Sequence, residues 1–142
     1  MPVRQAKAQW EGDLKQGRGS MKLGSGAWEG PYSFGSRFEG AQGSNPEEML
    51  GAAHAGCFTM ALANKLAQAG HPAQRVHTTA QVHLDKSGEG FGITRIQLTT
   101  EGSVPGISEQ EFKRLAEDAK ANCLVSKVLK GLSIELQATL AR

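Results

Sequence analysis

The apolar and polar positions divide this chain into segments of strand-like and of helical periodicity. Up to about Gly43 the chain is rich in glycine, and the segments VRQAKAQWEG and GRGSMKLGSG alternate imperfectly, which predicts two short strands. The segment PYSFGSRFEGAQGSN is predicted to be a loop or an edge strand that leads into a helix. The first third of the chain therefore predicts short strands and connecting loops.

The segment NPEEMLGAAHAGCFTMALANKL, residues 45 to 66, predicts a long helix that is apolar on almost every side. Asn45 is a favourable N-cap, Pro46 suits the first helical position, and Glu48 stands at capping-box distance from the cap. Gly70 is expected to end this helix, because glycine readily adopts the left-handed backbone conformation found after the last helical turn. A helix with apolar residues all round is expected to be buried on every side.

The second half of the chain predicts a hairpin, two helices and a strand. The runs RVHTTAQVHLDK and FGITRIQLTTEG flank SGEG and predict the hairpin. Ser108 and Glu111 repeat the capping-box spacing, and the helix that they open carries one apolar stripe and ends just before Cys123. The segment LVSKVLKG predicts a short helix, and LSIELQATLAR alternates strictly as a half-buried strand does. The order β-β-α-β-β-α-α-β predicts one α+β domain over residues 1–142, with a β-sheet wrapped around a long buried central helix.

Charge and hydropathy exclude several classes of protein. The 16 Lys and Arg residues against 14 Asp and Glu give a net charge of +2, which is too balanced for a surface that binds nucleic acid or an anionic membrane. The longest apolar stretch, Met49 to Ala63, is interrupted and shorter than the roughly 20 residues of a membrane span. The N-terminal segment lacks the apolar region of a secretory signal. We therefore expect a soluble, cytoplasmic protein that binds neither nucleic acid nor membrane.

The two cysteines, Cys57 and Cys123, are the candidate reactive groups. They lie far apart in the sequence and form no CxxC motif, so in a reducing compartment they are either two inert thiols or a redox couple. A helical cysteine among alanine and phenylalanine is, by base rate, more often packing than chemistry. Glu47 lies nearly three helical turns before Cys57, so only a long side chain, such as an arginine of the preceding loop, would connect the two.

The histidines and the glycine-rich segments do not indicate another kind of site. No Cys/His pair has the spacing of zinc ligands, so no metal site is predicted. The glycines of GSGAWEG are spaced wrongly for a dinucleotide-binding loop. His54 stands three residues before Cys57, which makes it a candidate neighbour of the thiol on the helix surface.

The segments SRFEG, GSNPEEMLGAAHAGCFTMAL and, much later, ANCLVSKVL together resemble the OsmC/Ohr family of organic hydroperoxide reductases, and the OsmC branch more than the Ohr branch. The resemblance covers essentially the whole chain. It implies an OsmC-like α+β fold, an intertwined homodimer with active sites at the subunit interface, and a thiol peroxidase that uses no metal and no bound cofactor. One difference from the family is Leu124, because the second cysteine is usually followed by proline.

The resemblance assigns four site residues by position. Cys57 is the peroxidatic cysteine, Cys123 the resolving cysteine, Arg37 the cation that holds the thiolate, and Glu47 the carboxylate that orients Arg37. A free thiol titrates near pH 8.5, and a guanidinium within about 4 Å favours the thiolate. Attack on an organic hydroperoxide releases the alcohol and leaves a sulfenic acid, which Cys123 converts into a disulfide. An external dithiol must reopen that disulfide, and the Ohr branch points to a lipoyl-type dithiol.

Other residues compete for some of these roles. Arg18 is a rival for Arg37, because the Ohr branch uses a more N-terminal arginine, but the local context of Arg37 matches the OsmC branch. Glu48 is assigned to helix capping. The following apolar side chains are candidates for a pocket that suits alkyl or lipid hydroperoxides, although the first two also fit a plain core: Phe58, Met60, Leu124 and Val125.

Two other functions remain open at this point. In the first, the same pair of thiols forms a disulfide once and changes a contact with a partner, as a non-enzymatic redox sensor does. In the second, the chain is a structural or small-molecule-binding domain with two inert thiols.

Overall fold

A computed structural model describes residues 1–141, which group into two compact units, residues 1–49 and the residues from Leu50 onward. Strands and helices alternate along the chain, so the predicted α+β class is confirmed. The β-structure consists of two three-stranded sheets, one in each unit. That the chain forms one domain stays a prediction.

The first unit contains an antiparallel sheet of β1 (Ala6–Glu11), β2 (Arg18–Leu23) and β3 (Glu29–Tyr32), in that order. The two predicted strands are therefore present, and β3 begins just before the segment that was expected to be a loop or an edge strand. That segment also contains a short helix, α1 (Phe34–Phe38), which the sequence analysis missed. A five-residue helix shows no periodicity. Its signature is the reciprocal capping of Ser33 and Ser36.

The long helix, α2 (Pro46–Gln68), begins and ends where the sequence predicts. The side chain of Asn45 caps it, accepting a hydrogen bond from the backbone N–H of Glu48 at 2.8 Å. Beyond its end, Gly70 has a φ of 86°, in the left-handed region that glycine adopts without strain. Residues of both units belong to this helix.

The second unit contains the predicted hairpin and the predicted C-terminal strand. Strands β4 (Arg75–Ser87) and β5 (Gly90–Ser103) pair antiparallel around a turn in which Gly88 has a φ of 62°. Helices α3 (Glu109–Asn122) and α4 (Leu124–Val128) follow, and strand β6 (Ser133–Leu140) then pairs with β5 in parallel. The crossover through two helices is what permits the parallel pairing.

One face of α2 forms the centre of the core of the second unit. Phe58, Leu62 and Leu66 recur at the spacing of one helical turn and are fully buried. They belong to one apolar cluster with residues of β5 and α3, including Ile96 and Phe112. This face fixes the position of the middle of the helix, and with it the position of Cys57.

The prediction that α2 is buried on every side is wrong for the single chain. Met60 is 77% exposed, and Ala52, Ala53 and Gly56 on the same side are exposed as well. An apolar face indicates that apolar material covers it, but the sequence pattern does not say whether that material belongs to the same chain. Within residues 1–141, no helix is long and apolar enough to cross a membrane.

Candidate active site

The two cysteines lie side by side in the second unit. Cys57 sits in the middle of α2 and is half-buried, whereas Cys123 is 1% exposed. Both are free thiols, and each side chain affects the acidity of the other. A contact between cysteines so distant in sequence is the arrangement that a reversible disulfide requires.

The local backbone explains how Cys123 reaches this position. It is the C-cap of α3 and the N-cap of α4, with an extended conformation at φ −60° and ψ 131°. Its N–H donates to the carbonyl of Ala119, and its carbonyl accepts from the N–H of Lys127. Hydrogen bonds to both helices hold the residue at the corner between them, so its thiol is fixed against α2.

The contacts of Cys57 within this unit do not favour its thiolate. Burial raises the pKa of Cys57, and the interaction with the Cys123 thiol raises that pKa further. The backbone N–H groups of Val125 and Leu124 act in the opposite direction but do not outweigh these effects. This direction is opposite to the lowering expected for an attacking thiol, so a thiolate at Cys57 needs a positive charge in addition to these contacts.

Cys123 shows the opposite balance. Burial raises the pKa of Cys123, but hydrogen bonding by the Cys57 thiol and by the hydroxyl and N–H groups of Ser126 outweighs burial and lowers the pKa below its ordinary value. The N–H of Val125 adds to this lowering. The contact between the two thiols therefore favours a thiolate on Cys123 over a thiolate on Cys57.

Leu124 contributes to this arrangement through its backbone. Its N–H lowers the pKa of Cys57, which a proline at this position would not do, because proline has no N–H. Its side chain is 71% exposed. The difference from the usual Cys-Pro sequence thus adds a donor near the half-buried thiol.

His54 and Ser126 form a buried polar pair beside the cysteines. The Nε2 atom of His54 lies 2.8 Å from Oγ of Ser126, and both residues are buried. Burial lowers the pKa of His54, so the imidazole is neutral near pH 7. The sequence predicted His54 as a neighbour of Cys57, but it missed Ser126, whose only signal is its place three residues after a helix-capping cysteine.

Arg37 and Glu47 form an ion pair in the first unit. Nε of Arg37 donates to Oε1 of Glu47 at 2.7 Å. The carboxylate side chain is 9% exposed and the guanidinium is 39% exposed. Because the hydrogen bond uses Nε, the two terminal nitrogens of the Arg37 guanidinium do not take part in it. Among the described residues, Oε2 of Glu47 is buried without a hydrogen-bond partner.

Aromatic side chains surround Arg37 and form a cavity of about 370 Å³ in the first unit. Trp10 and Tyr32 contact each other edge to face with ring centroids 5.3 Å apart, and the guanidinium of Arg37 lies 5.3 Å from the ring centre of Phe38. The sequence does not predict this cavity, because its lining comes from β1, the loop after β1, β3 and α1, the segments with the weakest periodicity.

The competing candidates lie in other environments. Arg18 is a surface residue of β2, with its side chain 85% exposed and 4.0 Å from the carboxylate of Glu11. Phe58 is fully buried and belongs to the core, whereas Met60 and Leu124 are exposed. Among residues 1–141, no three His, Cys, Asp or Glu side chains come close enough together to hold a metal ion.

The four residues assigned from the sequence thus occur as two contacting pairs. Arg37 and Glu47 contact each other in the first unit, and Cys57 and Cys123 contact each other in the second. The roles of all four in a reaction stay predictions.

Comparisons with known proteins agree on one family. The family model described as OsmC-like protein matches residues 39–137, a range that includes Glu47 and both cysteines. Peroxiredoxin OsmC of Escherichia coli K12 is 49% identical over 128 residues, which are 89% of this chain and 90% of that protein. An organic hydroperoxide resistance protein of Xanthomonas axonopodis pv. citri is 32% identical over 108 residues, which are 72% of this chain and 70% of that protein.

A solved structure gives the same result for the fold. The crystal structure of an organic hydroperoxide resistance protein from Elizabethkingia anophelis superposes with a TM-score of 0.74 at 25% identity, over 99% of this chain and 98% of that one. OhrB of Bacillus subtilis, at 22% identity and a TM-score of 0.69, shares the fold over 96% of this chain.

Proposed function

Because this chain belongs to the OsmC-like protein family, we propose that it is a cysteine-based peroxidase that reduces organic hydroperoxides to alcohols. The observation that carries this proposal is the direct contact between the two free cysteines. The names of the relatives, a peroxiredoxin and an organic hydroperoxide resistance protein, support the same activity. No bound cofactor and no metal take part in the proposed reaction.

In the first step the Cys57 thiolate attacks the distal oxygen of the hydroperoxide. The S–O bond forms, the O–O bond breaks, and the alkoxide takes up a proton and leaves as the alcohol, so that Cys57 becomes a sulfenic acid. We assign the nucleophile to Cys57, because it is the more accessible of the two thiols. In the second step the sulfur of Cys123 displaces the sulfenic oxygen, which leaves as water, and a disulfide forms. An external dithiol, of lipoyl type in this proposal, reduces the disulfide.

Arg37 supplies the positive charge that Cys57 needs in the first step. The support for this role is physical, because the other contacts of Cys57 raise its pKa and a guanidinium stabilises a thiolate at short range. Glu47 holds the guanidinium by its Nε edge, which leaves the terminal nitrogens for the sulfur and the peroxide. This arginine belongs either to the chain that carries Cys57 or to the second chain of the homodimer proposed below.

We further propose that the protein is an intertwined homodimer of the OsmC type and acts in the cytoplasm. The support for the dimer is the exposed apolar surface of the second unit, where Met60, Leu124 and Val128 are between 71% and 82% exposed. The exposed small residues of α2 permit close approach of a second chain. The cytoplasm is a compartment that keeps both cysteines reduced between turnovers.

Steady-state turnover tests the proposed function. Purified protein should consume many equivalents of tert-butyl hydroperoxide when a dithiol such as dihydrolipoamide is supplied, and it should do so faster than with hydrogen peroxide. Cys57→Ser should abolish consumption, whereas Cys123→Ser should permit the first oxidation and then accumulate a sulfinic acid, visible by intact mass. One equivalent of peroxide per chain without turnover would instead indicate a redox sensor. No oxidation of either thiol would show that both are inert.

A further inference from the structure

The feature that the proposed reaction does not yet use is the buried pair of His54 and Ser126. Both residues belong to the second unit, and Ser126 lies within one helical turn of Cys123. Ser126 occupies the third position of α4, counted from the capping residue Cys123, and a side chain at that position reaches back towards the cap. The hydroxyl of Ser126 also acts on the thiol of Cys123. His54, Ser126 and Cys123 are therefore connected in a series of polar groups that ends at a candidate reacting sulfur.

The direction of the bond between His54 and Ser126 decides what the serine does. A hydroxyl has one proton, so it donates either to the imidazole or to the sulfur. Nδ1 of His54 is buried and has no hydrogen-bond partner among the described residues. A buried N–H without a partner is rarer in proteins than a buried acceptor without one. The proton of the neutral imidazole therefore belongs on Nε2, which faces Ser126.

We infer that His54 is a positioning residue that donates from Nε2 to Ser126 and thereby commits the Ser126 hydroxyl proton to the sulfur of Cys123. The Ser126 hydroxyl acts directly on the thiol of Cys123, whereas His54 acts only through Ser126. The chain of donors stabilises Cys123 as a thiolate and holds it ready for a sulfenic acid on Cys57. The role of Cys123 in forming the disulfide rests on the proposed peroxidase function. The series of hydrogen-bond donors from His54 to Cys123 does not depend on that function.

The chemistry balances without a further reactant. The Cys123 thiolate attacks the sulfur of oxidised Cys57, the S–S bond forms, and the S–O bond breaks with its electron pair on oxygen. The departing hydroxide takes up from solvent the proton that Cys123 released when it ionised. The oxidant is the organic hydroperoxide of the first step.

The effects on the Cys123 thiol come from burial, from Cys57, and from the backbone and hydroxyl groups of α4, with no charged side chain among them. Loss of the Ser126 hydroxyl should therefore be visible as a rise in the pKa of Cys123. One hydrogen bond to a charged group corresponds to roughly a tenfold change in the ionisation equilibrium, or about one pKa unit.

The experiment uses the Cys57→Ser protein, in which Cys123 is the single remaining cysteine of the chain. Its thiolate is titrated by absorbance near 240 nm. Ser126→Ala and His54→Leu should each raise the pKa of Cys123 by about one unit. His54→Gln keeps a donor near the position of Nε2, so the pKa of Cys123 in this variant should lie close to its original value. The double variant with Ser126→Ala and His54→Leu should raise the pKa of Cys123 no further than either single substitution does. Thr78→Val, which disturbs another, partly buried hydroxyl contact of the second unit, should leave the pKa of Cys123 unchanged.

An unchanged pKa of Cys123 in Ser126→Ala would overturn the inference, as would a His54→Gln protein that behaves like His54→Leu. Circular dichroism of each variant separates these results from misfolding, and a folded variant is required for each comparison. Because the titration uses no peroxide, a failure of the proposed peroxidase function appears separately, as a lack of turnover in the unaltered protein.

Discussion

Nε of Arg37 donates a hydrogen bond to Oε1 of Glu47 across 2.7 Å, and this carboxylate is almost completely buried. Because Glu47 is the second residue of α2, the pair fixes the guanidinium against the beginning of that helix. A buried carboxylate that has lost its cation is costly, so the two residues stabilise each other's position. The pair accordingly offers a test of the role proposed for Arg37.

Glu47→Gln should slow the first oxidation of Cys57 by about tenfold or more. The amide keeps the size of the side chain but loses a charge-assisted hydrogen bond, and such a bond to a charged group contributes roughly 1.5–3 kcal/mol. The rate constant for oxidation by tert-butyl hydroperoxide, from single-turnover fluorescence, measures the effect. Glu48→Gln is the matched control, because Glu48 is the adjacent, exposed carboxylate of the same helix. Equal rates in the two variants would remove Glu47 from the proposed mechanism.

The sequence predicted the long elements of this fold well. Helix α2 combines a capping asparagine, a proline at its first position and a terminating glycine, so its bounds depend on local signals that lie within the helix and its flanks. The hairpin of β4 and β5 likewise follows from alternation and a glycine turn. Helix α1 was missed because five residues are too few to show a period.

The structure contains the contacts within both residue pairs of the candidate site. Which of the two cysteines has the lower pKa, however, could not be predicted from the sequence. The sequence places Cys57 and Cys123 in two helical segments. It does not show that the pKa of Cys57 is raised whereas the pKa of Cys123 is lowered. That result depends on the corner between α3 and α4, where the contact between the two thiols and the hydroxyl of Ser126 act differently on the two sulfurs. The aromatic cavity beside Arg37 was missed for a similar reason, since it depends on how three short elements pack.

Replacing Leu124 by proline should raise the pKa of Cys57 and slow its alkylation at neutral pH by roughly two- to tenfold, the range expected for one neutral hydrogen bond. Proline removes the N–H that lowers this pKa, and the backbone accepts it without strain. Leu124 is the first residue of α4, a position that suits proline, and Cys123 before it is already extended. The measurement is the pH dependence of iodoacetamide alkylation in the Cys123→Ser protein.

Leu124→Ala is the control for this prediction, because it removes the exposed side chain but keeps the N–H. It should alkylate at the rate of the parent protein. If proline and alanine had the same effect, the N–H of this residue would have no part in the acidity of Cys57.

Replacing Met60 by glutamate should convert the proposed homodimer into single chains. Met60 is 77% exposed on the apolar side of α2, and a charge placed in a subunit interface without a partner costs several kcal/mol. Light scattering coupled to gel filtration should show the mass of two chains for the parent and of one for Met60→Glu. Val3→Glu, at an equally exposed apolar residue of the first unit, is the control and should stay dimeric. A parent protein that elutes as a single chain would refute the dimer itself.

The stability of the protein should fall more steeply below pH 6.5 than the stability of a His54→Gln variant. Burial lowers the pKa of His54 below its ordinary value of 6.5, so from that pH downwards the unfolded chain binds a proton that the folded chain does not. The free energy of unfolding therefore decreases as the pH falls through this window, and above it His54 contributes no pH dependence. Urea unfolding at pH 7.5 and at pH 5.0, at one protein concentration, gives the difference for each protein. The other ionisable groups titrate in both proteins, so the comparison isolates His54. The same decrease in both proteins would mean that His54 is protonated as readily in the folded chain as in the unfolded one.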